Sequence, residues 1–291
     1  MITKNPMQLK AFIKKKAEEN NISSQLVMQN YMMERLLERI SLSPYRKNFI
    51  LKGGFLIAAI VGLNSRTTMD LDATIKGLDL THESIDRIFK EICAIKIEDN
   101  ITFSVLRTTE IREGDDYPGL RVALEANYHP LAVPLTVDVT TGDKITPREV
   151  KRSLRLLFDD RSISVFTYNL ETVLAEKIET VLSRNIANTR PRDFYDIYIL
   201  TALYGQQLDI KILEQALLET ARKRNSLQIL PRYRQIIQDI QASPRMRDFW
   251  EQYRERFNYV KNISFDDACK SVLLIMESTY GVPHINDSPE V

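Results

Sequence analysis

Two aspartates one residue apart, Asp70 and Asp72, follow a double glycine, Gly53-Gly54, with Arg66, Thr67 and Thr68 between them. Carboxylates at i and i+2 of a strand share a face, roughly 7 Å apart at Cα, close enough to converge on one or two divalent cations. Magnesium is held through one or two carboxylates plus substrate phosphates. The cofactor expected here is therefore Mg2+, with a nucleoside triphosphate as substrate. Two such ions would activate an attacking oxygen and neutralise a leaving pyrophosphate. The glycines stand ahead of an apolar run, where bare amides and the helix dipole favour phosphate. Arg66, Thr67 and Thr68 add donors for the triphosphate. Each part also has a plainer reading: a solvent-facing strand, a tight strand-to-helix turn, a surface ion pair.

The elements that must position these groups are legible as periodicity. Residues 69–75 alternate, with Leu71, Ala73 and Ile75 on one side and Asp70 and Asp72 on the other, which predicts a strand. Residues 135–139 alternate likewise. Leu135, Val137 and Val139 face a core, leaving Thr136 and Asp138 opposite, so Asp138 is a candidate third carboxylate and metal ligand. Strands are also expected at 101–109 and 120–128, joined by a polar turn through Gly114-Asp115-Asp116. Helices are expected over 55–61 and 83–94, and as a pair within 7–45. There Leu9, Phe12, Ile13 and Ala17 form one stripe, and Ser23 or Ser24 caps a second carrying Leu26, Met33, Leu37 and Ile40. After about residue 165 the pattern is helical to about Tyr280, with a loose tail from Gly281 to Val291. The predicted fold is α+β: a mixed-sheet lobe with N-terminal helices over 1–165, then an all-helical lobe over 166–291.

The helical half carries a second cluster, Ala175-Glu176-Lys177, followed by Arg190-Pro191-Arg192-Asp193-Phe194-Tyr195-Asp196. Lys177 sits at a buried-face position of its helix, and an unpaired buried charge is costly. It must reach a partner or an anion, or extend its end to solvent. Asp193 and Asp196 are three apart and share a helix face. One of them can pair with Lys177 or Arg184, position an incoming hydroxyl, or favour the helix N-terminus.

Composition narrows the class only broadly. The chain has 291 residues, 44% hydrophobic and 27% charged, with a net charge of +1 that names no partner. Between Lys76 and Glu125 there are 11 acidic and 7 basic residues; between Arg222 and Lys261 there are 10 basic and 4 acidic. The basic stretch, interleaved with Tyr233, Phe249, Trp250, Tyr253 and Phe257, is either a nucleic-acid surface that stacks bases or a solvated helical face. Two distant cysteines exclude a zinc signature and a disulfide scaffold. His82, His129 and His284 lie in unrelated contexts. With no signal core and no bilayer-length apolar run, a cytoplasmic protein without membrane association is the expectation.

Taken together, Lys52-Gly53-Gly54, Arg66-x-Thr68-x-Asp70-Leu71-Asp72, Ala175-Glu176-Lys177 and Arg190-Pro191-Arg192-Asp193-Phe194-Tyr195-Asp196 resemble the AbiEii/AbiGii family. These are nucleotidyltransferase-like toxins of type IV toxin–antitoxin and abortive-infection systems, related to the MenT toxins. The likeness runs over roughly residues 45–205. It implies a DNA polymerase β-like nucleotidyltransferase lobe, with Gly53, Gly54, Arg66 and Thr68 at the triphosphate and Asp70 and Asp72 on magnesium. It implies that Lys177 contacts nucleotide phosphate and that Asp193 is an essential carboxylate, with Asp196 a weaker candidate. The implied reaction moves nucleotides from a triphosphate onto RNA, in the family the 3′ acceptor end of transfer RNA, blocking translation. The implied partner is a cognate antitoxin, often a DNA-binding repressor. Other acceptors, protein or small molecule, and a non-catalytic nucleotide-binding role are the alternative readings. One departure stands out: where the family carries Gly-Gly-Thr or Gly-Gly-Ser, this chain has Phe55.

Overall fold

The computed structural model describes residues 5–111 and 119–280. The Gly114-Asp115-Asp116 turn and the tail from Gly281 lie outside them. Two compact units divide the chain: residues 1–143 with 149–168, and residues 144–148 with 169–291.

The first unit opens on α1 (Pro6–Asn20) and α2 (Ser24–Leu42), capped by the side chains of Asn5 and Ser23. Each cap accepts a first-turn N–H that has no partner within the helix. Leu9, Ile13 and Ala17 of the α1 stripe are buried, as are Met33, Leu37 and Ile40 of α2. Then come β1 (Phe49–Lys52), α3 (Gly53–Val61), β2 (Leu71–Ile75), α4 (His82–Ala94), β3 (Thr102–Ile111), β4 (Gly119–Tyr128), β5 (Leu131–Thr141), β6 (Val150–Arg155) and β7 (Ser162–Thr167). The strands make one seven-stranded mixed sheet ordered β3-β4-β5-β2-β1-β7-β6. The β2–β5 and β1–β7 pairs are parallel; the rest are antiparallel. α2 packs on β5 and β7, and α4 packs on β3. Leu51, Leu71, Ala73, Val137 and Val139 supply the buried apolar face.

Four elements, β1, β6, β7 and α3, depart from the periodicity reading. β1 is only four residues long, all buried, too short to show a period. β6 and β7 form a hairpin that the sequence reading did not place: Val150, Arg152 and Leu154 share a face of mixed chemistry on β6, while β7 alternates in burial with Ile163 and Val165 inward. The glycines do not precede the helix but form its first turn, because Gly53 takes φ +67° and turns the chain directly from strand into helix.

The second unit is helical: α5 (Leu170–Arg184), α6 (Pro191–Tyr204), α7 (Ile210–Lys223), α8 (Tyr233–Ala242), α9 (Pro244–Arg256) and α10 (Phe265–Thr279). Asn169, Asp209, Ser243 and Ser264 cap α5, α7, α9 and α10. α5 packs on α6 and α7, and α10 on α6 and α8. Among the described residues, no helix is long and apolar enough to cross a membrane.

Candidate functional site

The register of the sheet sets one row of charges across four neighbouring strands. Arg121 on β4 opposes Asp138 on β5, Asp138 opposes Asp72 on β2, and Asp72 opposes Lys52 on β1. Directly opposed residues point to the same face, so the row runs Arg121, Asp138, Asp72, Lys52 with alternation broken only by the two central carboxylates. Asp70 precedes the first residue of β2 and is exposed; Asp72 is half-buried. The pair thus consists of one carboxylate fixed in a strand and one on the loop entering it.

Gly53 is required by this row, and Gly54 lies close under the loop that carries Arg66 and Thr68. A Cβ at Gly53 would overlap the Asp72 carboxylate, and one at Gly54 would lie 3.0 Å from Thr68 Oγ1 and 3.1 Å from Arg66 Nη2. The glycines therefore admit the aspartate, threonine and arginine side chains against bare backbone. α3 has no side-chain cap, so its first-turn N–H groups keep the chemistry that suits an anion. Arg66 and Thr68 are buried. Their loop is pinned from α2, where Asn30 Nδ2 donates to the Thr68 carbonyl at 3.0 Å. The Gly53, Gly54, Arg66, Thr68 and Asp72 of the sequence reading are thus brought together, with Asp70 two residues from Thr68.

Asp138 lies beside Asp72, as its strand position predicts, but both its oxygens accept from Arg121, Nε and Nη2 each at 2.8 Å. The hydrogen bonds and charge of Asp138 hold the Arg121 guanidinium above its ordinary value, with smaller contributions from Asp70 and Asp72. Among the described residues no group of three or more His, Cys, Asp or Glu side chains is gathered for a metal. Two carboxylates with hard oxygen donors beside a phosphate-suited helix turn still fit magnesium, which keeps waters and takes its remaining ligands from substrate phosphates.

Phe55 occupies the third position of α3, and its ring is buried, lining a cavity of about 110 Å³ with Asn30, Glu34, Leu37 and Ile163. Its side chain serves packing behind the helix. Glu34, on the same cavity, accepts from the Leu157 N–H at 3.0 Å, and burial pushes its carboxyl up to about 7. Burial also raises Cys93 to about 11 and Cys269 to about 12, so neither thiol is a nucleophile at neutral pH.

In the second unit, Lys177 Nζ on α5 reaches Asp193 Oδ1 at 2.6 Å and Asp196 Oδ2 at 2.9 Å, both on α6. Arg190 Nε lies 3.1 Å from the other Asp193 oxygen. The Lys177 side chain is 12% exposed, while Asp193 and Asp196 are 1% and 0%. The i, i+3 spacing of the aspartates brings both to one lysine, so Lys177 takes both carboxylates and does not extend to solvent.

The basic stretch is a different matter. Tyr233, Trp250 and Tyr253 are buried, and Trp250, Tyr253, Phe257, Tyr259 and Tyr195 pack ring against ring. Those three rings build the core of the unit and cannot stack bases from the surface. Arg222, Arg224, Arg234, Arg247 and Arg254 pair with Glu219, Glu179, Glu277, Asp266 and Glu251. At least half of the basic residues in the stretch thus have acidic partners, most of them contributed from outside it.

Missed by the sequence reading was what lies under the acidic row. Asp143 accepts from Lys52 Nζ, from Thr74 Oγ1 at 2.6 Å and from Thr140 Oγ1 at 2.7 Å. Tyr168 Oη lies 2.8 Å from Thr74 Oγ1. The available signal was the lone lysine closing an apolar strand.

The chain belongs to the nucleotidyltransferase class. The family model for the nucleotidyl transferase AbiEii toxin of type IV toxin–antitoxin systems matches residues 35–271, and the chain is a member of that family. The matched span includes both residue clusters. No curated protein matches the chain. Among solved structures, a candidate nucleotidyltransferase from Helicobacter pylori is 13% identical with a TM-score of 0.48, over 90% of this chain and 100% of that one. The Helicobacter pylori protein JHP933 is 12% identical with a TM-score of 0.49, over 89% and 93%.

Proposed function

We propose that this toxin-family protein is a magnesium-dependent nucleotidyltransferase that moves nucleotides from a nucleoside triphosphate onto RNA, the 3′ acceptor end of transfer RNA being the acceptor, and so blocks translation. The observation that carries the reading is the convergence of Asp72, Thr68 and Arg66 on the Cα atoms of Gly53 and Gly54. A triphosphate on the first turn of α3 would meet bare amides, a guanidinium and a hydroxyl, beside two carboxylates suited to magnesium. Asp70 and Asp72 would hold the metal, which when bound supplies charge neutralisation of the phosphates. Arg66 and Thr68 would orient the triphosphate. In this reading Lys177 serves as a phosphate-contacting cation and Asp193 as an essential carboxylate, with Asp196 holding Lys177 in place. Asp138 joins the metal set only by leaving Arg121. The partner would be a cognate antitoxin, expected to be a DNA-binding repressor encoded beside it.

The test is incubation of purified protein with each labelled triphosphate, magnesium and total RNA. Small RNAs become labelled, nuclease removes the label and protease does not, and Asp70→Ala abolishes it. Label that resists nuclease but yields to protease would move the acceptor to protein. Absence of labelling with all four nucleotides, together with growth arrest that survives Asp70→Ala, would replace the enzyme by a binding module.

A further inference from the structure

β1 runs Phe49-Ile50-Leu51-Lys52, all buried, and only its last residue is charged. The Lys52 ammonium lies over the Tyr168 ring, 5.7 Å from its centroid, and donates to Thr140 Oγ1 at 2.7 Å and to Asp143. One Asp143 oxygen collects Lys52, Thr74 and Thr140. Thr74 joins Tyr168, whose N–H donates to the Leu51 carbonyl at 3.0 Å. The network therefore holds β1 at its side chain and at its backbone, on the sheet face that carries Asp72.

Replacing such a pair by apolar side chains is often neutral or stabilising, and three apolar residues precede Lys52 in the same strand. Stability alone gives no reason for a lysine here. Position does. Lys52 is followed directly by Gly53, whose backbone turns at φ +67° with the Asp72 carboxylate against its Cα. Lys52 also opposes Asp72 in register. A shift of the Lys52 backbone moves both the first amide of α3 and the space left for that carboxylate.

We propose that Lys52 is a positioning residue, which with Asp143, Thr74, Thr140 and Tyr168 sets the distance between the phosphate-binding turn at Gly53 and the metal-binding carboxylate of Asp72. The inference rests on the nucleotidyltransfer reading of that turn. Lys52 does not touch substrate; its amino group is committed to Asp143 and Thr140.

The experiment is calorimetric binding of each ribonucleoside triphosphate with magnesium to the full-length protein, with a magnesium titration of the transfer rate. The proteins compared are wild type, Lys52→Met, Asp143→Asn, the double variant and Thr74→Val. Arg39→Lys serves as a control for disturbing a buried ion pair, because Arg39 holds Asp99 through two hydrogen bonds elsewhere in the same unit. Triphosphate Kd and the magnesium concentration for half-maximal rate each rise about tenfold in Lys52→Met and in Asp143→Asn, the size seen when supporting partners of a metal site are removed. The double variant is no worse than the weaker single, and Arg39→Lys binds as wild type. If a single variant does not fold, the double variant, which leaves no uncompensated charge, and Thr74→Val carry the same readings. Folded double and Thr74→Val variants with wild-type Kd and magnesium dependence would overturn the proposal. So would an equal loss of affinity in Arg39→Lys. A wild-type protein that binds no triphosphate sinks the nucleotidyltransfer reading itself, an outcome distinct from binding that ignores Lys52.

Discussion

The two charged clusters of this protein are built on opposite principles. In the first unit, Asp70 is exposed, Asp72 is half-buried, and their neighbours are glycine backbone, an arginine and a threonine. In the second, Asp193 and Asp196 are removed from solvent and locked to Lys177. An exposed carboxylate such as Asp70 can exchange water for a cation at small cost. A buried triad has already exchanged water for its own counter-charges, and removing one member upsets a charge balance that water cannot restore. The first cluster thus keeps an exposed carboxylate beside the glycine turn, whereas in the second any catalytic duty of Lys177 begins from within a buried ion pair.

That contrast can be broken by substitution. The largest effect is expected at Asp70: Asp70→Ala lowers nucleotide transfer on the order of a thousandfold, while urea unfolding shifts by no more than about 0.5 kcal/mol, as for an exposed side chain. A large loss of stability there would mean that the open cluster is as structural as the closed one. Next is Lys177→Met, which removes the cation shared by two buried carboxylates, with Arg190 still on Asp193, and costs about 3–5 kcal/mol of unfolding free energy. Wild-type denaturation of this variant would show that water reaches the triad freely. Gly53→Ala comes third. A side chain at φ +67° costs about 1–2 kcal/mol, and the overlap with Asp72 displaces the carboxylate, so magnesium dependence weakens together with melting temperature. Unchanged activity in a folded Gly53→Ala protein would separate Asp72 from the turn.

The effect furthest from nucleotide transfer concerns Glu34. Its folded-state carboxyl is raised to about 7 from the ordinary 4.5 by burial, opposed by the Leu157 N–H and Arg35 and reinforced by Glu38. A raised carboxyl binds its proton more tightly when folded. Its contribution is complete below about 4.5 and is lost as pH rises through about 7, with a slope of at most ~1.4 kcal/mol per pH unit. Glu34→Gln flattens that part of the stability profile. An unchanged profile between pH 5 and 7 would assign the slope to another group.

The legibility of the sequence followed the same division. Elements with a clean period, such as β2, β5, α4 and α5, were readable because burial of one face demands that period. The four-residue, wholly buried β1 was not, since it carries no alternation to read, nor was β6, which mixes Val150, Arg152 and Leu154 on one face; β7 does alternate, through Ile163 and Val165, and was not picked out. Asp193 and Asp196 announced a shared helix face, but that both would close on Lys177 and not on Arg184 depended on how α5 packs against α6. The aromatic-rich basic stretch stayed open for a related reason: helical spacing places Trp250 and Tyr253 equally well in a core or on a surface, and only packing chose the core.

Residue types and spacing alone determined the Asp70–Asp72 pair, the glycine turn, the lysine and aspartate elements, and with them the family, because that chemistry is local to each short motif. The tertiary structure decided which groups meet. It brought Asp72 against Gly53, set Arg121, Asp138, Asp72 and Lys52 in one row, and sank the Lys52 ammonium onto Asp143. Those meetings depend on strand order and register between segments as far apart as residues 52 and 143, and no local pattern encodes them.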